Sequence, residues 1–198
     1  MKNHSDILNE LGNQVPKKCL ELLSDFHKIQ YPVYQNDFSL ILKYKLLNKH
    51  PKSLVRYMDV SPELAARICT SLNDFFNYKQ FAGLLKTKEL TQTRINRALL
   101  HIMLGIKKDS VSEYMNSGYN FYARLLGFRK DCSQILTEIS KKSSLPLLTK
   151  LAESRELCEL GQRMLRDDIL ASNLYTSVVT DKFKTAFLNE YKQRIIKI

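Results

Sequence analysis

The sequence is short of everything that bond-making chemistry usually shows. It has six glycines in 198 residues and no glycine-rich phosphate loop. No H-x-G-H, H-E-x-x-H or G-x-S-x-G occurs, and His4, His27, His50 and His101 are scattered. Cys19, Cys69, Cys132 and Cys158 are too far apart in sequence for a zinc-site spacing. Each is expected to pack as a small hydrophobe in a reducing cytosol, with no metal bound. The one adjacent carboxylate pair, Asp167 and Asp168, falls in a helix-like stretch where neighbours diverge by ~100°, so it reads as a solvated face. No apolar run nears the ~20 residues that span a bilayer, and the first residues lack an apolar signal core. These absences argue against a free-standing enzyme, a membrane protein and an exported one. The reading is cytoplasmic.

Acidic residues are also scarce. Thirty-one Lys and Arg stand against twenty Asp and Glu, a net charge of +11. Such a field attracts polyanions, nucleic acid above all.

Periodicity reads as helix almost throughout. Residues 5–11 and 16–27 suggest two short helices, with Pro16 suited to a first turn. Pro32 forces an extended connector, and Asp37 reads as the N-cap of the next helix. Pro51 stops that helix, and Ser61 with Pro62 signals another. Phe75, Tyr78, Phe81, Leu84 and Leu85 form one stripe of a further helix. Near residue 119 the period changes. Residues 121–126 and 146–149 read as short strands on either side of a helix carrying Cys132, Ile135, Leu136 and Ile139. The expected fold is mainly α, a multi-helix domain with one small parallel two-stranded βαβ element. Helices are expected from residue 153 to about 178 and from 181 to 194. No linker divides residues 1–198.

Residues 86–106 combine a basic, threonine-rich start with an apolar end. On a helix, Ile95, Leu99, Ile102 and Ile106 share a broad apolar arc with Ala98, Leu100 and Met103. Arg94, Arg97 and His101 share the narrow remaining face. Two arginines in a first helical turn oppose the helix dipole, a conflict that a phosphate resolves. Thr91 or Thr93 is a candidate cap, the other hydroxyl a candidate phosphate donor, and Lys86 and Lys88 precede them. Internal pairing of Arg94 or Arg97 with a carboxylate is the competing reading. A second basic stretch, residues 38–58, holds Lys43, Lys45, Lys49, Lys52 and Arg56 and no carboxylate. Tyr34, Tyr44 and Tyr57 are interleaved and suit base stacking or plain packing. The candidate phosphate contacts are thus Lys43, Lys45, Lys86, Lys88, Thr91, Thr93, Arg94 and Arg97, with no catalytic residue.

The stretches DFSLILKYKLL, VSPELAARI, LLKTKELTQTRINRALLHIMLGI, YARLLGF and LPLLTK occur in this order. The series resembles the C-terminal half of the bacterial tRNA(Met) cytidine acetate ligase family, a nucleotidyltransferase-like family. K-T-K-x-x-T-x-T-R-x-x-R at residues 86–97 is its most specific part. The resemblance implies connecting helices over 1–35, a family-like core over 37–150 and C-terminal helices over 151–198. It implies a parent enzyme that converts ATP and acetate to acetyl-adenylate and acetylates N4 of the wobble cytidine of elongator tRNA(Met). Its adenylating chemistry would belong to an N-terminal nucleotidyltransferase domain with an H-x-G-H motif, which this sequence lacks. The expectations are a chain inactive alone with no cofactor of its own, whose partners are tRNA and that domain, with no membrane. The alternative is a structural module packed on the catalytic domain, with RNA contacts elsewhere.

Overall fold

A computed structural model describes residues 10–12, 14–27, 29–186 and 188–197. The helix expected over residues 5–11 lies largely outside them. Helix α1 (Lys17–Phe26) follows Pro16 and buries none of its side chains. A 3-10 turn (Gln35–Phe38) leads into α2 (Ser39–Leu47), which buries Leu42 and Leu46. Asp37 caps that turn from inside rather than α2 from outside. Its Oδ2 accepts the Tyr34 N–H at 2.7 Å, because a carboxylate three residues in reaches back to the first free amide.

Next come α3 (Pro51–Leu54), α4 (Pro62–Thr70) and α5 (Tyr78–Leu84). Ser61 Oγ accepts the Leu64 N–H at 3.2 Å with Pro62 in the first position, as the sequence signals predict. The helix expected to begin near residue 73 starts only at Tyr78, where the Asn77 side chain accepts the Gln80 N–H at 3.0 Å. Helix α6 (Gln92–Leu104) ends at Gly105, whose φ of 83° suits a residue without a Cβ. Helix α7 (Lys108–Asn116) completes the first half.

One core unites α2 to α6. Leu42, Leu46, Leu54, Leu64, Ile68, Phe81, Ile95, Leu99 and Ile102 are essentially excluded from solvent. Of the expected apolar arcs, Leu84 and Leu100 are exposed. Tyr78 is buried in the same core, and its hydroxyl donates to the Asn96 carbonyl at 3.1 Å. Burial pushes its pKa up from 10.0 to about 12. Above pH ~10 the unfolded chain gives up this proton while the folded chain keeps it, so stability falls between pH ~10 and ~12, by about 2 kcal/mol. Urea midpoints across that range are expected to drop more steeply in the wild type than in Tyr78→Phe.

The second half carries the strands. β1 (Ala123–Arg124) pairs in parallel with β3 (Leu147–Leu148), across the crossover helix α8 (Ser133–Lys142). This is the expected βαβ pair. A second parallel pair joins β2 (Gly127–Phe128) to β4 (Ile196–Lys197), so the sheet content is two small elements and not one. Gly127 explains the addition. A Cβ there would lie 3.0 Å from the Ile196 carbonyl oxygen, so glycine lets the tail approach.

Helix α9 (Glu159–Phe183) buries Leu165 and Ile169, which join Leu148 and Leu157 in a smaller core. The helix expected over 181–194 does not form. Lys184 turns the chain at φ 55°, and the tail runs back as a short 3-10 turn (Glu190–Lys192) and then β4. Tail contacts outweigh helical propensity here. The Glu190 N–H donates to Asn173 Oδ1 at 3.1 Å, and the Glu190 carboxylate is ion-paired with Arg124.

All four cysteines are free thiols, but Cys19 and Cys158 are exposed and only Cys69 packs against the main core. Their expected burial is therefore not general. Asp167 and Asp168 are exposed, though Asp168 also accepts a hydrogen bond from the Tyr122 hydroxyl.

Candidate nucleic-acid interface

The N-termini of α4 and α6 open on one groove of about 540 Å³, lined by Ser61, Glu63, Arg67, Thr87, Lys88 and Arg94 among others. Thr91 is the cap of α6. Its hydroxyl accepts the Arg94 N–H at 3.4 Å, and Thr93 makes no such bond. The approach to α6 is pinned in turn by Thr87, whose hydroxyl accepts the Leu90 N–H at 3.0 Å. This turn leaves Lys86 and Lys88 exposed beside the helix start.

The two arginines of the strip separate. Arg97 makes a two-pronged ion pair with Asp59, Nε to Oδ2 at 2.6 Å and a terminal nitrogen to Oδ1 at 2.9 Å. His101 Nδ1 lies 3.2 Å from the same carboxylate. Asp59 adopts φ 62°, a conformation that aspartate tolerates better than most residues. The hydrogen bonds and charge of Asp59 raise the Arg97 pKa, in that order. The competing reading of the strip, internal pairing, is what Arg97 shows. Asp59 lies 38 positions away, so no local pattern announces the pair.

Arg94 forms no ion pair among the described residues. Its charge, after the Glu63 N–H and Ser61, helps hold the Glu63 carboxyl below its ordinary range. Arg67 lies in the groove but donates twice to the Leu84 carbonyl, at 2.7 and 3.2 Å, closing the C-terminal end of α5. Among the described residues, Lys86, Lys88 and Arg94 are thus the cations of this face that form no ion pair, with Glu63 and Glu89 the carboxylates lining the groove.

The second basic stretch divides likewise. Lys43 donates to the Phe75 carbonyl at 3.0 Å and sits 5.7 Å from that ring's centre, while Lys45 is exposed. Tyr57 is buried, Tyr34 lies under Lys182, and Tyr44 is exposed. Sequence periodicity could not tell these tyrosines apart.

The sequence has no H-x-G-H and no glycine-rich loop. No group of three His, Cys, Asp or Glu side chains suited to a metal ion occurs among the described residues. No described helix is long and apolar enough to cross a membrane.

Fold and surface together define a mainly helical, basic protein with a cationic groove at two helix starts. The chain belongs to the HIGH nucleotidyl transferase family, whose model matches residues 1–190. It is 38% identical over 170 residues to the tRNA(Met) cytidine acetate ligase of Caldanaerobacter subterraneus subsp. tengcongensis, covering 85% of this chain and 41% of that protein. The ligase of the same name from Bacillus subtilis is 30% identical over 183 residues, covering 87% and 43%. The crystal structure of Thermotoga maritima TmcAL bound with alpha-thio ATP superposes with a TM-score of 0.86 at 21% identity, covering 98% of this chain and 49% of that one. That likeness shows the shared fold. The chain spans less than half the length of these relatives. The sequence resemblance reserves the nucleotidyltransferase name for a separate N-terminal domain and makes this chain a C-terminal portion. The family match draws no such division, since it runs under that description across residues 1–190.

Proposed function

We propose that this chain is the tRNA-holding helical part of a tRNA(Met) cytidine acetate ligase. In this reading it positions the RNA while the remaining length of the family protein uses ATP and acetate to make the acetyl donor. The observation that carries the reading is the cluster of Lys86, Lys88 and Arg94, exposed and in no ion pair among the described residues, beside the Thr91-capped start of α6. Free amide groups and a positive dipole end already favour phosphate there, and the three cations add to it. Such contacts orient a nucleic acid without reading its sequence. Arg97 and Lys43 serve the fold instead, and Lys45 and Tyr44 extend the exposed surface.

Lys88→Gln with Arg94→Gln is expected to weaken tRNA binding and flatten the log–log salt dependence by about 0.9 for each lost phosphate contact. The melting temperature should stay nearly constant, since both side chains are exposed. Filter binding across a salt series and a thermal melt read both. An unaltered slope refutes phosphate contact at this face.

That outcome would favour a second reading, in which the chain is a structural module packed on the catalytic part of the family protein. Leu22 and Phe26 of α1 and Ile135 and Ile139 of α8 support it, because these apolar side chains face solvent.

A further inference from the structure

A larger cleft, of about 1260 Å³, lies apart from the α6 groove in the second half of the chain. Its walls are the β1–β3 pair, the middle of α9 and the returning tail. Small-molecule pockets typically hold ~300–1,000 Å³, so this one suits a stretch of polymer better than a single metabolite. Its lining is unevenly charged. Among the described residues Glu190 is its one carboxylate, 6% exposed and already neutralised by Arg124. Lys150, Arg194 and Lys197 line it without forming a salt bridge among the described residues. Glu153 adjoins Lys150, but its carboxylate is occupied by the N–H groups of Thr149 and Lys150 at 2.8 and 3.1 Å. Lys197 stands 5.8 Å from the centre of the Phe128 ring.

Two aromatic rings complete the lining. Tyr175 on α9 and Tyr191 on the tail are 46% and 62% exposed. Large rings left open to water beside unpaired cations match the surface on which unstacked bases pack while the backbone phosphates meet lysine and arginine. A duplex offers no such bases. An acidic protein segment would satisfy the cations but leave the rings without a role.

We propose that this cleft binds a short single-stranded segment of RNA, its bases on Tyr175 and Tyr191 and its phosphates on Lys150, Arg194 and Lys197. The site rests on the reading that the chain meets RNA, but it shares no residue with the α6 groove. It also gives the tail a task. The Arg124–Glu190 pair and the β2–β4 pairing hold one wall of the cleft in place.

The test uses the 198-residue chain and a fluorescein-labelled six-nucleotide RNA, single-stranded or annealed to its complement, read by fluorescence anisotropy. The single strand is expected to bind more tightly than the duplex. Tyr175→Ala and Tyr191→Ala are each expected to weaken it about fivefold or more, with unchanged melting temperatures. Arg194→Gln with Lys197→Gln should reduce the salt slope by about 0.7 for each contact. In the Lys88→Gln, Arg94→Gln background, the preference for single strand over duplex and the losses caused by Tyr175→Ala and Tyr191→Ala should persist. Failure at the α6 groove and failure here are therefore separable. Equal binding of single strand and duplex, or wild-type affinity in the Tyr175→Ala, Tyr191→Ala double variant, overturns the proposal. So does a polyglutamate peptide that binds as tightly as the single strand, which would mark a surface for acidic protein.

Discussion

Phe81→Ala is expected to lower the unfolding free energy by about 3–5 kcal/mol and the melting temperature by roughly 6–20 °C. Phe81 has no exposed surface and lies at the centre of the main core. Its ring centre is 4.5 Å from that of Phe75, tilted by 36°. Its helix, α5, has only seven residues, too few to be stable without packing. Removing the ring therefore takes the anchor from a whole element and leaves a cavity between α2, α5 and α6. Urea unfolding should show a lower midpoint with the same slope. Phe76→Ala is the control. That ring is 80% exposed, and its loss should change stability by less than about 0.5 kcal/mol. Equal effects of the two substitutions would contradict the packing described.

Arg124→Met is expected to cost about 3–5 kcal/mol, because it strands the Glu190 carboxylate in a buried position. The loss should concentrate in the tail. Residues 188–197 rely on this pair, on the Asn173 bond and on two residues of β-pairing. Limited proteolysis should accordingly cut the variant between α9 and β4 well before its helical half unfolds. The double change Arg124→Met with Glu190→Leu removes both charges and should recover most of the loss. A double variant as weak as the single one would show that the arginine acts through packing rather than charge.

The helical half was legible because its signals are local. Ser61 with Pro62 and the apolar period of α6 each act within a few residues. The β1–β3 pair was legible for a related reason, a change of period on both sides of α8. What escaped was non-local. Nothing near Arg97 announces Asp59, and nothing near Gly127 announces Ile196. The tail has helical composition, yet its register is set by β2, Arg124 and Asn173, all distant in sequence. The candidate interface was half legible. Composition and spacing point to a cationic helix start. Which cations stay free is decided by partners such as Asp59 and the Phe75 carbonyl, which only the folded chain brings near. The larger cleft was not legible, since its tyrosines and cations come from three separate segments, at Lys150, Tyr175 and residues 191–197, and the basic tail reads by itself only as the solvated face of a helix.

The parallel pairing of Gly127–Phe128 with Ile196–Lys197 also sets a timetable for synthesis. At ~5–20 residues per second, a ribosome needs on the order of 3–14 s to pass from one strand to the other. Through that interval the nascent chain carries β2 with an unsatisfied edge, the kind of edge that recruits foreign strands. The buried residues of the main helical core lie between Leu42 and Met103, so all of them are made before β2 is. Arrest of translation short of residue 196 should thus leave a folded helical body with one adhesive edge, a natural substrate for chaperones rather than for proteases.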